Sequence, residues 1–166
     1  MHTFRSIGRD INSRRRASRG FTLVELMTVV SIVAVLATVA APSFAEMMAT
    51  QRVRTAASAL TESLWLARAE ATKRNTDVGF VLRDPETGWT IADPAGSRTP
   101  LLVQPGFAAI EFTAQNGDGV RFTFNAYGRL STGSGWVQVG NSQLGVYRCV
   151  TVSTTGRATT TKGPCT

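Results

Sequence analysis

The sequence predicts an α+β protein in which one long N-terminal helix packs on an antiparallel β-sheet. Apolar residues recur at helical spacing as far as about residue 75, whereas the chain from residue 76 consists of short strand-like runs separated by turns. A helix followed only by antiparallel strands is typical of the α+β class. A chain of 166 residues has room for one such domain and for a targeting or membrane segment.

The positive charge of the chain is concentrated at its N-terminus. Six arginines and one aspartate give residues 1–20 a charge of +5 out of the formal +7, which leaves +2 for the rest. The single histidine, His2, lies in the same segment. Histidine-dependent nucleophile activation and histidine-containing metal sites are therefore excluded from the body. We expect no enzyme activity, no catalytic residue, no metal and no cofactor.

Residues 21–41 form an apolar run with a single charge, Glu25. Its 21 residues are enough to cross a bilayer as a helix, which takes about 20. Arginines precede this run, and the next basic residue is Arg52. The positive-inside rule therefore predicts a cytoplasmic N-terminus and a body on the other side of the membrane.

Three interpretations of this N-terminus compete. An ordinary secretory signal would be cut after Ser43-Phe44-Ala45, but its apolar region would be about 7–15 residues long. A twin-arginine signal would use Ser13-Arg14-Arg15, although the apolar residues expected directly afterwards are missing. The third interpretation places the cut before the apolar run, between Gly20 and Phe21.

The segment Gly20-Phe21-Thr22-Leu23-Val24-Glu25 resembles the prepilin signature of type IV pilins and type II secretion pseudopilins. The resemblance implies that a prepilin peptidase removes residues 1–20 and that the new N-terminus, Phe21, is methylated. Glu25 is costly inside a membrane, and we expect it to pair with the Phe21 ammonium of a neighbouring subunit. The alternative is a glutamate that reaches the lipid headgroups.

Pro42 follows the apolar run, and a kink or local unwinding of the helix is expected there. Beyond it, residues 42–75 carry an apolar stripe with a spacing of three and four residues. We expect this stripe to pack against the sheet, and it consists of Val53, Ala56, Ala57, Leu60, Leu64, Ala67 and Ala71. The helix is predicted to end near Asn75.

Residues 76–166 are predicted to form the β-rich domain. Seven runs are rich in β-branched or aromatic residues: 78–82, 89–91, 101–103, 109–112, 120–124, 136–139 and 146–152. Turn signals separate several of them, at 84–88, 93–96 and 116–119.

Two further segments resemble the FimT/GspH group of minor pilins. They are Tyr127-Gly128-Arg129-Leu130 and the tail from Val150 to Arg157. The resemblance implies a pilin-like lollipop and a low-abundance subunit that helps to initiate or cap a filament with other pilins. Such a subunit lies in the bacterial inner membrane with its body in the periplasm, and later in the pilus or pseudopilus.

Cys149 and Cys165 are 16 residues apart, in a body placed in an oxidising compartment. We expect a disulfide between them, worth about 3 kcal/mol for a loop of this length, which would also hold Arg157 close to the last strand. A pair of free thiols is the alternative.

Two classes of function remain. The first is a structural subunit of a type IV pilus or a type II secretion pseudopilus, two systems that the sequence does not separate. The second is a DNA-binding minor pilin, because some FimT-type proteins use a Gly-Arg-x-Arg motif. Here Gly156-Arg157 matches its first half and Thr159 replaces the second arginine. Lys162 and Arg148 are the further candidates for contact with DNA, although a solvated arginine is the commoner explanation.

Overall fold

The computed structural model describes residues 20–84, 88–93, 99–115, 117 and 119–166. The predicted leader before Gly20, the twin-arginine candidate and parts of the three predicted turns (85–87, 94–96, 116 and 118) lie outside the described residues. The described residues form one helix and nine strands: α1 Leu23–Arg74, β1 Val78–Asp84, β2 Gly88–Ala92, β3 Leu102–Gln104, β4 Glu111–Ala114, β5 Val120–Phe124, β6 Leu130–Thr132, β7 Gly135–Asn141, β8 Val146–Val152 and β9 Ala158–Lys162. The chain divides into two units between Ala40 and Ala41.

In the first unit, the described side chains of α1 are exposed, including its large apolar ones. Among the described residues, no single helix meets the length and hydropathy expected of a membrane span. The segments Leu23–Thr38 and Ser43–Arg74 meet them only when taken together. The span over residues 21–41 and the kink at Pro42 stay predictions.

In the second unit, the predicted apolar stripe is the buried face of α1. Its seven members, from Val53 to Ala71, are fully buried and belong to one hydrophobic core with residues of both sheets. Four of the seven are alanines, so the strands supply most of the large side chains. The prediction that this stripe packs on a sheet is confirmed.

The first sheet has five antiparallel strands in the order β3-β2-β1-β5-β6. Its register places Phe80 of β1 between Ile91 of β2 and Phe122 of β5. All three side chains are buried, as expected where alternate residues of neighbouring strands share one face.

The second sheet has four antiparallel strands in the order β4-β7-β8-β9. Val137 of β7 faces Val150 of β8, and Val152 faces Ala158 of β9. These side chains are buried on the core face. β9 is additionally tied to the helix, because the hydroxyl oxygens of Thr160 and Thr61 lie 2.8 Å apart in a hydrogen bond.

The two sheets are in contact both in the core and at the surface. In the core, the ring of Trp89 in the first sheet meets the ring of Phe112 in the second edge-on, with centroids 5.6 Å apart. At the surface, the Leu130 N–H at the start of β6 donates to the Thr154 carbonyl in the β8–β9 turn, at 3.2 Å. The turn that precedes β6 therefore lies against the turn that precedes β9.

α1 ends in a left-handed cap. Asn75 has φ +54°, and the Thr76 N–H donates to the Ala71 carbonyl at 3.2 Å, which is the pattern of a Schellman motif. In the last turn, the Arg74 Nε donates to a Glu70 carboxylate oxygen at 2.6 Å. This hydrogen bond, assisted by Lys73, holds the pKa of Glu70 below its usual value.

The strand predictions need three corrections. The predicted strand at 109–112 begins later, at Glu111, because Ala109 has a left-handed φ of +60° and Ile110 closes a turn onto Phe107. The strands β6 and β9 were not predicted, since β6 has three residues and β9 reads Ala-Thr-Thr-Thr-Lys. Threonine favours strands, so the composition of β9 was compatible with a strand. It lacks the large apolar residues from which the other strands were predicted.

The contact between the two turns predicts an unusual sensitivity at Gly156. This residue has φ +78°, and a Cβ added there would collide with the Gly128 carbonyl oxygen. Gly156→Ala should therefore reduce the free energy of unfolding by about 3 kcal/mol, through backbone strain and overpacking.

Gly145→Ala is the matched control, since Gly145 has φ +65° and nothing within 4 Å of an added Cβ. It should lose about 1 kcal/mol, the cost of the left-handed conformation alone. Urea unfolding of the full chain in detergent measures both values. Equal losses would show that the two turns are not in close contact.

Candidate functional site

The backbone at Gly20 and Phe21 is exposed and precedes the first residue of α1. A Cβ added at Gly20 would meet no atom within 4 Å, in contrast to Gly156. The Phe21 side chain is 83% exposed. No contact with a described residue therefore requires glycine at position 20, and both residues are accessible.

Thr22 caps the N-terminus of α1. The Glu25 N–H donates to the Thr22 hydroxyl oxygen at 3.2 Å, and the Leu26 N–H donates to the Thr22 carbonyl at 3.1 Å. This is one half of a capping box, which the pattern Thr22-x-x-Glu25 would have predicted and which the sequence analysis missed. The helix thus begins two residues after the predicted cut.

The polar side chains of the first unit differ in their partners. The hydroxyls of Thr28, Ser31 and Thr38 each donate to a backbone carbonyl three or four residues earlier in the same helix. No described residue forms a hydrogen bond or ion pair with the carboxylate of Glu25. Thr28, Ser31 and Thr38 thus have hydrogen-bond partners within α1. The carboxylate of Glu25 has none among the described residues.

The disulfide between Cys149 and Cys165 is present, as predicted, with the two Cα atoms 5.0 Å apart. Cys149 lies in β8 opposite Thr161 of β9. The Cys165 N–H also donates to the Gln138 side-chain oxygen on β7, at 3.0 Å. The bridge therefore holds the C-terminal tail against the second sheet at the Lys162 end of β9.

The expectation that the disulfide holds Arg157 is wrong. Arg157 lies in the turn before β9, whereas Lys162 is the last residue of that strand. A strand advances about 3.3 Å per residue, which separates the two backbones by about 17 Å. Arg148 lies directly opposite Lys162. The structure brings Arg148 and Lys162 together and leaves Arg157 at the other end of the hairpin.

Arg157 is grouped instead with residues of the turn that precedes β6. Gly156, its neighbour, lies against the carbonyl of Gly128, which is flanked by Tyr127 and Arg129. A Cβ added at Gly128 would lie 3.0 Å from the Arg68 Nε of α1. We call Arg68, Arg129 and Arg157 the arginine cluster.

Each arginine of the cluster is exposed, and none forms an ion pair with a described carboxylate. Tyr127 beside it is 87% exposed. Both turns lie in segments whose sequences resemble minor pilins, but the cluster was not predicted, because only the fold shows that the turns touch.

The described residues contain no group of three or more histidines, cysteines or acidic residues that is arranged to hold a metal ion. The candidate sites are the N-terminal segment from Gly20 to Glu25, the exposed arginine cluster at one end of the β8–β9 hairpin, and the half-buried Arg148 with the exposed Lys162 at the other end.

The family model described as type II transport protein GspH matches residues 56–156. A second model, the prokaryotic N-terminal methylation motif, matches residues 15–41. The latter match favours the third interpretation of the N-terminus over the two export signals. No curated protein matches this sequence.

Two crystal structures of the type IV minor pilin FimU of Pseudomonas aeruginosa have a similar fold. The first has a TM-score of 0.54 and 23% identity, over 65% of this chain and 91% of that chain. The second has a TM-score of 0.55 and 21% identity, over 69% and 90%. The predicted fold class, a long N-terminal helix packed on antiparallel strands, is confirmed.

Proposed function

Because this chain belongs to the GspH family of minor pilins and pseudopilins, we propose that it is a structural subunit that helps to initiate or cap a filament. The filament is a type IV pilus or a type II secretion pseudopilus. Its partners are other pilins and, before assembly, a prepilin peptidase that also methylates the new N-terminus. The subunit has no catalytic role.

The observation that carries this proposal is the unused carboxylate of Glu25. An acidic group costs about 2.5–3.5 kcal/mol on insertion scales at the centre of a membrane helix, and Glu25, nearer the helix end, bears part of this cost. Three hydroxyls of the same segment already bond within the helix. A cation from outside the chain would offset that cost. The ammonium of Phe21 on a neighbouring subunit, freed by cleavage after Gly20, has the opposite charge.

Cleavage after Gly20 and insertion of the apolar run imply the following organisation of the chain. Residues 1–20 are a cytoplasmic leader that is removed, and residues 21–41 cross the inner membrane. Residues 42–75 are the amphipathic half of the helix, and residues 76–166 form the β-rich domain in the periplasm. Extraction from the membrane would then place residues 21–41 in the core of the filament.

Processing is the first test of this proposal. The intact mass of the chain extracted from membranes should correspond to residues 21–166 with one added methyl group, because Gly20 is exposed and no fold contact opposes its cleavage. A mature N-terminus at Glu46 would instead establish an ordinary signal peptide and refute the pilin assignment.

The second test concerns Glu25. Glu25→Ala should insert into the membrane as well as wild type or better, since a costly charge is lost. Its amount in sheared filament fractions should fall several-fold, because the Phe21 ammonium of the next subunit loses its partner. Ser31→Ala is the control, as the Ser31 hydroxyl bonds within its own helix. Wild-type incorporation of Glu25→Ala would contradict the pairing.

The arginine cluster favours a second candidate function, binding of DNA during natural transformation. Three arginines without an acidic partner among the described residues suit contact with phosphates. The exposed Tyr127 ring can stack on a base of a single strand. This surface differs from the set predicted from sequence, since Lys162 and Arg148 lie at the other end of the hairpin.

If the cluster binds DNA, Arg157→Ala and Arg129→Ala should each weaken binding several-fold at low salt, irrespective of DNA sequence. Lys162→Ala should bind as wild type does, because it lies about 17 Å from Arg157. Fluorescence anisotropy of the full chain in a zwitterionic detergent measures these affinities. Each lost phosphate contact should also reduce the log–log salt slope by about 0.7–0.9.

Equal losses for all three variants would indicate binding by diffuse positive charge rather than by the cluster. Absence of binding at low salt would remove the DNA role and leave the structural role alone.

A further inference from the structure

Arg148 and Lys162 form a pair of like charges on one face of the second sheet. They lie opposite each other across β8 and β9, in line with the pair Val150 and Thr160. Val150 is buried in the core, and Thr160 bonds to Thr61 of the helix, so this face is the one that meets α1. Like charges in directly opposite positions destabilise a sheet, and no described carboxylate forms an ion pair with either cation.

The two cations line a cleft of about 240 Å³. Its walls come from three parts of the second unit: Glu46 and Thr50 on α1, residues 145–148, and residues 162–164. The Cys149–Cys165 bridge directly follows Arg148 on one wall and Pro164 on another, and thereby fixes their spacing. Two cations and one carboxylate leave the cleft with a single uncompensated positive charge, which suits a monoanion.

The cleft lies close in sequence to the end of the apolar run. Glu46 follows Ala41 by five residues, which is about 8 Å along a helix. The lipid headgroup region on each side of a bilayer is about 5–8 Å deep. Phe44 and Met47, on either side of Glu46, are 60% and 53% exposed. Aromatic and apolar side chains enter the boundary between headgroups and acyl chains, and a cation close to an anionic lipid surface is attracted to it.

We propose that the cleft formed by Arg148, Lys162 and the Glu46 turn of α1 binds the phosphate of an anionic phospholipid headgroup. In phosphatidylglycerol no headgroup ammonium neutralises the phosphodiester, as it does in phosphatidylcholine, so one net negative charge matches the excess charge of the cleft. Phe44 and Met47 contact the adjoining lipid. The lipid holds the body at the membrane surface until the subunit enters a filament. This inference rests on the proposed membrane span of residues 21–41.

The test is hydrogen exchange of the full chain reconstituted in vesicles of phosphatidylglycerol or of phosphatidylcholine. Amides of residues 145–148 and 161–163 should exchange several-fold more slowly in phosphatidylglycerol, since each cation near an anionic surface contributes roughly a fivefold factor. The double variant Arg148→Gln/Lys162→Gln should lose this difference. The matched control Lys73→Gln/Arg121→Gln removes the same charge from two exposed sites elsewhere and should retain it.

Several results would overturn the proposal: equal exchange in the two lipids, an equal effect of the control variant, or the same protection from inorganic phosphate in phosphatidylcholine vesicles. Protection that appears only on filament formation, in both lipids alike, would assign the cleft to an acidic side chain of a neighbouring subunit. Lys162→Gln alone, which changes a single exposed side chain, repeats the test if the double variant unfolds. Failure of the chain to insert into either vesicle would refute the membrane span itself.

Discussion

The narrow, alanine-rich face of α1 is the constraint on which the body depends. Four of its seven fully buried members are alanines, so strands from both sheets can approach the helix closely. The volume of the core is supplied from the sheets, by Trp89, Phe80 and Phe124 among others. Because protein interiors tolerate little overpacking, a larger residue on this face would move the sheets outward. The Thr61–Thr160 hydrogen bond and the contact of Arg68 with the Gly128 turn need the same close approach.

The sequence predicted the elements that depend on local periodicity. The buried stripe of α1, its end at Arg74 and seven strands follow from spacing and residue type, and only their bounds shift by a few residues. The two missed strands, β6 and β9, are short or polar and become strands by pairing with neighbours that are already in place. The sequence predicted one antiparallel sheet, and its division into two sheets could not be predicted. Strand order is decided by tertiary contacts rather than by residue type.

The candidate sites divide in the same way. The Gly20–Glu25 segment was recognisable because its residues are consecutive and its motif is local. The disulfide was also predicted, but the prediction that it holds Arg157 was wrong, because position along a hairpin depends on strand register. The arginine cluster joins residues from α1 and from two turns far apart in the chain, and no sequence pattern links them. The contact between Gly128 and Gly156, which brings the two turns together, could not be predicted from the sequence.

The hydroxyls of Thr28, Ser31 and Thr38 donate to backbone carbonyls of their own helix. Both atoms of each hydrogen bond therefore move together when the helix moves. In the proposed assembly, transfer of this segment from lipid to a bundle of protein helices would therefore break none of these bonds. Dispersion contacts between apolar side chains are individually weak, about 0.1–0.2 kcal/mol each. If Glu25 pairs with the Phe21 ammonium of the next subunit, as proposed, this one charged position selects the axial stagger between subunits, and a shift of one helical turn breaks the pair.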